Sequence, residues 1–356
     1  TMAGLRSLFF AFICSITICI CSASGTNAGG KPASKFAVVG YLPEWRYQGV
    51  DWEAISEHYT HLIFFSIEVD SQGSFAAMDR FPSTAQLSAA QKAANRTGTK
   101  LLICFGGNSR TNGFPQMVAS NKIRARFVRN LVKLCKDNGL RGVDYNWEYP
   151  KNDKEWGGLH ALVRDTRRAF DEATADGPKW AITVAYYPDG RQEPIMARIH
   201  KQTKGAVDLY HMMSYDQHGK HSTWKFGVHA VEQGMQHVPR ELLTMGVPFY
   251  ARDVRTGDWK TYEELVRVFG NGTLPRKTNL IGPYYFNGVA LMERKTRFAL
   301  SRGIGGVMVW EAGQDTHPTT NTSLLAAIAR VIAADGAPTP AAPGAGDGSE
   351  GEEEDA

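Results

Sequence analysis

The segment Gly142-Val143-Asp144-Tyr145-Asn146-Trp147-Glu148-Tyr149-Pro150 alternates polar and apolar side chains and ends in a proline. Read as a strand, it sends Asp144, Asn146 and Glu148 to one face and Val143, Tyr145 and Trp147 to the other. Three polar groups in a row, the last a carboxylate at the C-terminal end, would be costly against an inert core. Such a row marks a site, or else a half-exposed edge strand with a polar face. Pro150 closes the strand, and strands of similar character recur before and after it, which favours the site.

Outward from this segment a regular alternation runs along the chain. Short apolar runs lie at 36–41, 61–69, 100–105, 142–148, 180–186, 207–214, 243–249 and 305–310. Helical signals fall between most of them, at 84–95, 121–137, 155–174 and 289–301, and a last Ala/Leu-rich helix is expected at 323–334. Apolar strands separated by helices imply a parallel sheet covered on both faces. Eight of them in one domain predict an α/β fold of the closed (β/α)8 TIM-barrel type. A doubly wound open sheet is the alternative, but no Gly-rich phosphate fingerprint follows the first strand. The longest connection, 251–303, contains 262–269 and Tyr284-Tyr285-Phe286, and predicts a short excursion between strands seven and eight.

The bulk composition fits this reading. The chain has 356 residues, 43% of them hydrophobic, with 36 Gly and 8 Trp, enough for a sizeable core. The net charge of +4 includes six acids and no base at 336–356, which leaves +10 for the remainder. That mildly basic remainder lacks clustered Lys/Arg runs, so nucleic acid is not an expected partner.

The expected domains are a signal peptide at 1–24, a Gly/Ser/Ala-rich spacer at 25–35, the barrel at 36–335 and a disordered acidic tail at 336–356. The signal rests on Arg6, an apolar run to Cys21 and the small residues Ser22-Ala23-Ser24; an uncleaved anchor is its rival. Cys104 and Cys135 alone remain after cleavage, which excludes a disulfide-stapled scaffold and favours two buried thiols. Sequons at Asn95, Asn271 and Asn321 suit a secreted glycoprotein.

In such a barrel the active site lies at the C-terminal strand ends. Those ends carry Tyr41 with Trp45, Gly106-Gly107, Glu148, Tyr186-Tyr187, Met213, Tyr215, Asp216, Arg252, and Trp310 with Glu311. One acid, several aromatics and a basic residue suit a sugar, since rings stack on pyranose faces and Arg or carboxylate groups take hydroxyls and amides. No metal or other cofactor is expected, because the ten histidines show no tight pairing with acids; His211, His218 and His221 read as loop or core residues.

These residues resemble glycoside hydrolase family 18, the chitinases and chitinase-like lectins. The strand-four segment is similar to the signature Asp-Gly-x-Asp-x-Asp-x-Glu at most positions. Cys104-Phe105-Gly106-Gly107 resembles the Ser-x-Gly-Gly of strand three, with Cys for Ser. Met213-Ser214-Tyr215-Asp216, Gly246-Val247-Pro248-Phe249-Tyr250-Ala251-Arg252 and Gly305-Gly306-Val307-Met308-Val309-Trp310-Glu311 resemble strands six, seven and eight. The resemblance spans 36–315 and its motifs occur in order.

It implies retaining hydrolysis of β-1,4-linked N-acetylglucosamine, in which the substrate's own acetamido oxygen is the nucleophile. Glu148 is then the general acid and Tyr215 holds the acetamido carbonyl. Trp310 floors the distorted sugar, Met213, Asp216, Arg252 and Tyr41 shape its subsite, and Asp144 supports the row from beneath. The implied partner is chitin or another N-acetylglucosamine-containing oligosaccharide. The protein is expected to be a monomer, free of membrane once the signal is cut, and secreted or held in the secretory or endolysosomal lumen.

Two departures stand out. Asn146 occupies the place of an Asp that shares a proton with the Glu and stabilises the positive intermediate. Losing one preorganised contact of that kind costs roughly 10²–10³ in rate, and Glu148 loses one means of keeping its pKa high. Arg141 replaces the first Asp and either pairs with Asp144 or faces solvent. Two functions follow: a chitinase-type hydrolase slowed by Asn146, or a chitooligosaccharide lectin with little turnover. The short excursion favours a shallow cleft and soluble oligosaccharides.

Overall fold

A computed structural model describes residues 36–335. The signal segment, the spacer and the acidic tail lie outside the described residues. Eight strands close into a parallel barrel: β1 (Ala37–Pro43), β2 (His61–Val69), β3 (Lys100–Gly106), β4 (Gly142–Asn146), β5 (Ala181–Tyr186), β6 (Leu209–Met212), β7 (Leu243–Pro248) and β8 (Gly306–Trp310). Each strand pairs with the next, and β8 returns to β1 through Ala37↔Gly306 to Tyr41↔Trp310. The expected barrel is therefore the observed one.

The period-two alternation divides the core into two shells. Residues such as Val39, Tyr41, Ile63, Leu102, Cys104 and Met308 fill the barrel interior. Their neighbours, among them Val38, Leu62, Phe105, Val143 and Tyr145, pack outward beneath the helices. The helices begin where the sequence offers caps. Ser83 and Gln86 form a reciprocal capping box at Thr84–Thr97, which ends on left-handed Gly98. Ser120 caps Asn121–Asp137 and Asn152 caps Asp153–Ala173. Val289–Arg302 and Leu324–Asp335 complete the expected set. Among the described residues no helix is long and apolar enough to cross a membrane.

β4 is shorter than its sequence suggests, ending at Asn146 rather than Glu148. Its pairing with β3 stops at Gly106↔Asn146, where the Gly107 N–H takes the Asn146 carbonyl at 2.7 Å. Both glycines have positive φ, and a Cβ on Gly106 would lie 2.3 Å from the Asn146 carbonyl oxygen. Only glycine lets the β3 loop approach this closely.

The excursion after β7 is a four-stranded antiparallel sheet, in the order Trp259–Thr261, Tyr250–Asp253, Tyr284–Tyr285, Leu280–Ile281. Helix Tyr262–Phe269, capped by Thr261, accompanies it. Cys104 and Cys135 are buried free thiols. Asn95, Asn271 and Asn321 are all exposed.

Candidate functional site

β4 delivers its polar row as the alternation requires. Val143, Tyr145 and Trp147 pack outward, Tyr145 bonding Thr166 at 2.7 Å and Trp147 stacking on Phe114 at 5.0 Å. Asp144 and Asn146 point inward and are buried, and Glu148 follows at the mouth. A cavity of about 300 Å³ opens above them. Asn146, Glu148, Tyr41, Met213, Tyr215, Asp216 and Trp310 all line it. Arg252 does not: it stands behind Asp216, its Nη1 3.2 Å from Asp216 Oδ1. Its place in the subsite is thus indirect, because the excursion strand carries it past the cavity wall.

Asp144 lies at the bottom of the row and is fully enclosed. Thr183 donates to its Oδ1 at 2.6 Å and the Tyr41 hydroxyl to its Oδ2 at 3.0 Å. Burial pushes its pKa up to about 6 against those hydrogen bonds and one from Cys104. His211 approaches to 4.0 Å, but burial lowers its pKa to about 3, so it stands there as a neutral imidazole bonded to Thr244 at 2.7 Å. Arg141 is exposed, so Asp144 finds its partners inside the barrel rather than below it.

Glu148 is held differently. Its pKa is pushed up to about 7, first by burial and further by the nearby Asp216 carboxylate, while a hydrogen bond from Asn146 opposes the shift. Asn146 Nδ2 donates to Glu148 Oε1 at 3.1 Å. With that bond made, Asn146 Oδ1 is left buried and without a hydrogen-bond partner. A buried carbonyl acceptor without a donor is costly, and the cavity above leaves room for a water or a ligand group to supply one. Burial and the Asp216 carboxylate thus push Glu148 up to about 7 with an amide, not an Asp, as its neighbour on β4.

The walls are aromatic. Trp310 is half-buried and meets Phe65 edge-on at 4.6 Å and Tyr41 at 5.7 Å. The Tyr215 hydroxyl has the Met308 thioether as acceptor at 3.6 Å, a weak partner that leaves its donor free for a better one. Asp216 adopts a left-handed φ of 64° and accepts from the Tyr250 hydroxyl at 2.6 Å. Trp45 is exposed at the rim, and its indole N–H bonds buried Glu311 at 3.3 Å, which Arg46 also holds at 2.6 Å.

Phe65, Asn108 and Arg110 also line the cavity, and sequence reasoning missed them. Arg110 packs its guanidinium over Trp45 and Phe65, at 5.4 and 5.3 Å, and holds Glu44 through both amines. A charged residue just beyond the Gly-Gly of strand three is the signal that could have found it. Among the described residues no cluster of three or more metal-ligating side chains occurs.

Residues 37–315 match glycosyl hydrolases family 18. Endochitinase 1 of Metarhizium robertsii is 23% identical over 320 residues, covering 76% of this chain and 72% of that protein. Class V chitinase CHIT5 of Lotus japonicus is 24% identical over 272 residues, covering 61% of this chain and 67% of its own. Among solved structures, the chitinase ChiB of Flavobacterium johnsoniae superposes with a TM-score of 0.70 at 24% identity, covering 84% of this chain and 94% of that one. A class V chitinase from Nicotiana tobaccum gives 0.69 at 16% identity, with 84% and 99% covered. At these identities the superpositions speak for the fold.

Proposed function

The chain belongs to glycosyl hydrolases family 18, and we propose that it hydrolyses β-1,4-linked N-acetylglucosamine glycans, chitin or chitooligosaccharides, with retention and substrate assistance. The observation that carries this reading is Glu148. It is a carboxyl at the mouth of a cavity faced by Trp310 and Tyr215, with a pKa raised to about 7. A group with that pKa carries a proton in a useful fraction of molecules at neutral pH and gives it up readily. Glu148 protonates the glycosidic oxygen; as the bond breaks, the acetamido oxygen of the same sugar attacks the anomeric carbon from the opposite face. Glu148, now ionised, deprotonates the water that opens the cyclic intermediate.

Tyr215 donates to the acetamido carbonyl and holds it in line, while Trp310 stacks beneath the distorted ring. Asn146 Oδ1 accepts the acetamido N–H, which supplies its missing donor. Asp144 holds Tyr41 in place through their hydrogen bond and stands beneath Asn146 on the same face of β4. Met213 and Asp216 bound the subsite, with Arg252 fixing Asp216 from behind. The signal-like N-terminus and the exposed sequons support secretion or residence in a lumen.

The alternative, a lectin with little turnover, is favoured by one feature: the neighbour of Glu148 is a neutral amide that donates to it. An amide supplies no negative charge to a positive intermediate. The test is hydrolysis of N-acetylglucosamine hexasaccharide followed by proton NMR. Appearance of the β-anomer first, abolished by Glu148→Gln, supports the hydrolase. Binding without cleavage supports the lectin, and absence of both refutes the substrate class.

A further inference from the structure

The excursion after β7 leads through Asn287 into the helix Val289–Arg302, and that helix buries an amine. Lys295 Nζ donates to the Ser222 carbonyl at 2.8 Å and to Asn287 Oδ1 at 2.7 Å. Asn287 in turn donates to the same Ser222 carbonyl at 3.0 Å and to the Ser222 hydroxyl at 2.9 Å. All three residues are fully buried. Among the described residues no carboxylate forms an ion pair with the amine, and burial lowers its pKa to about 7. An amine enclosed without a counter-charge is costly, and a methionine would fill the same space. What the amine adds is two directed bonds, which tie the turn after β6 to the end of the excursion.

The tie leads to the cavity. Residues 217–221 form a turn closed by the Gln217 N–H on the His221 carbonyl at 3.0 Å, with Asp216 before it and Ser222 after it. The buried His221 ring packs on Tyr250 at 4.9 Å and meets Tyr285 edge-on at 6.0 Å. It faces Lys295 and Arg252 and is neutral, its pKa lowered to about 3, first by burial. Tyr250 donates to Asp216 at 2.6 Å, and Arg252 pairs with Asp216 at 3.2 Å. Asp216 keeps a φ of 64°, a backbone state that a residue other than glycine holds where its surroundings fix it. Its carboxylate lines the cavity and adds to burial in raising the pKa of Glu148. The other groups facing Glu148 are the Asn146 amide, the Tyr149 hydroxyl, the Asn108 N–H, Tyr215 and Cys104.

We propose that Lys295 is a positioning residue for Glu148. By clasping Ser222 to Asn287 it fixes the turn, and with it Tyr250 and Asp216, so that the Asp216 carboxylate stays beside the acid. This rests on the reading that Glu148 is the general acid, and it names a residue outside the cavity that tunes it.

The experiment follows the Glu148 carboxyl by carboxyl-carbon NMR in full-length protein labelled at glutamate, without sugar, with Glu148→Gln assigning the signal. The natural chain should titrate at about 7. Lys295→Met exchanges a buried amine for an apolar chain of like length, a change the fold tolerates. It should move the titration down by roughly half a pH unit, as Asp216 drifts from the acid. Asn287→Ala removes one clasp, leaves the amine in place, and should move it the same way by less. Tyr250→Phe should reproduce the shift of Lys295→Met, and the two together should add nothing further. A titration unmoved in whichever of Lys295→Met and Asn287→Ala folds overturns the proposal, as does a shift that simply adds to that of Tyr250→Phe. If the shifts appear but the natural chain cleaves no N-acetylglucosamine hexasaccharide, the reading of Glu148 as acid fails and the clasp stands.

Discussion

The two ends of the polar row that β4 carries, Asp144 below and Glu148 just past the strand, are built to opposite specifications. At the lower end, Asp144 is closed in by Tyr41, Thr183 and Cys104, and nothing about it asks for a ligand. At the upper end, Asn146 keeps a buried carbonyl without a donor, and Glu148 holds a proton at a pKa of about 7. Both carboxyls are raised by burial, but one is satisfied and the other exposed to a cavity. A shifted pKa alone does not separate the two; an unfilled hydrogen bond and room for a ligand do.

The comparison breaks most easily at Glu148. Glu148→Gln should lower kcat by about 10³, within the range for a lost general acid, while calorimetric binding of the hexasaccharide persists. A loss of binding instead would place Glu148 with Asp144 as a structural group.

Asp144 should fail in the other currency. Asp144→Ala leaves two buried hydroxyls without an acceptor and should cost about 2–3 kcal/mol in urea unfolding, whereas Asp144→Asn should cost much less. The measurement belongs at pH 5. A carboxyl raised in the folded state favours folding most below its unfolded pKa, and that contribution fades as pH rises through about 6. Equal stability of the Ala and Asn variants would remove the scaffold role.

The smallest effect concerns pH. Glu148 must be protonated for the first step, so kcat/KM should be full below pH 7 and fall as pH rises through it. Asn146→Asp adds a like charge and should move that limb upward by about one unit. A limb that stays in place would mean that burial and Asp216 set it whatever stands at position 146.

The fold was legible because period-two runs and capped helices recur in order. Asn121–Asp137 is bounded where the residues predict, by Ser120 and the end of its apolar stripe. The inward row on β4 was equally plain, since alternation leaves it no other face. Less could be read where a residue acts through another. Arg252 sits in a matching motif, but an antiparallel strand carries it behind Asp216. Arg110 and Phe65 meet over the cavity only because β2 and β3 lie side by side.

The most direct measurement is turnover of a fluorogenic N-acetylglucosamine oligomer by the natural chain and by Asn146→Asp under identical conditions. The natural chain is expected to turn over slowly, and Asn146→Asp to raise kcat on the order of 10² by restoring the missing negative charge. Complete silence of the natural chain, with cleavage appearing only in Asn146→Asp, would contradict it and leave a lectin one residue from an enzyme.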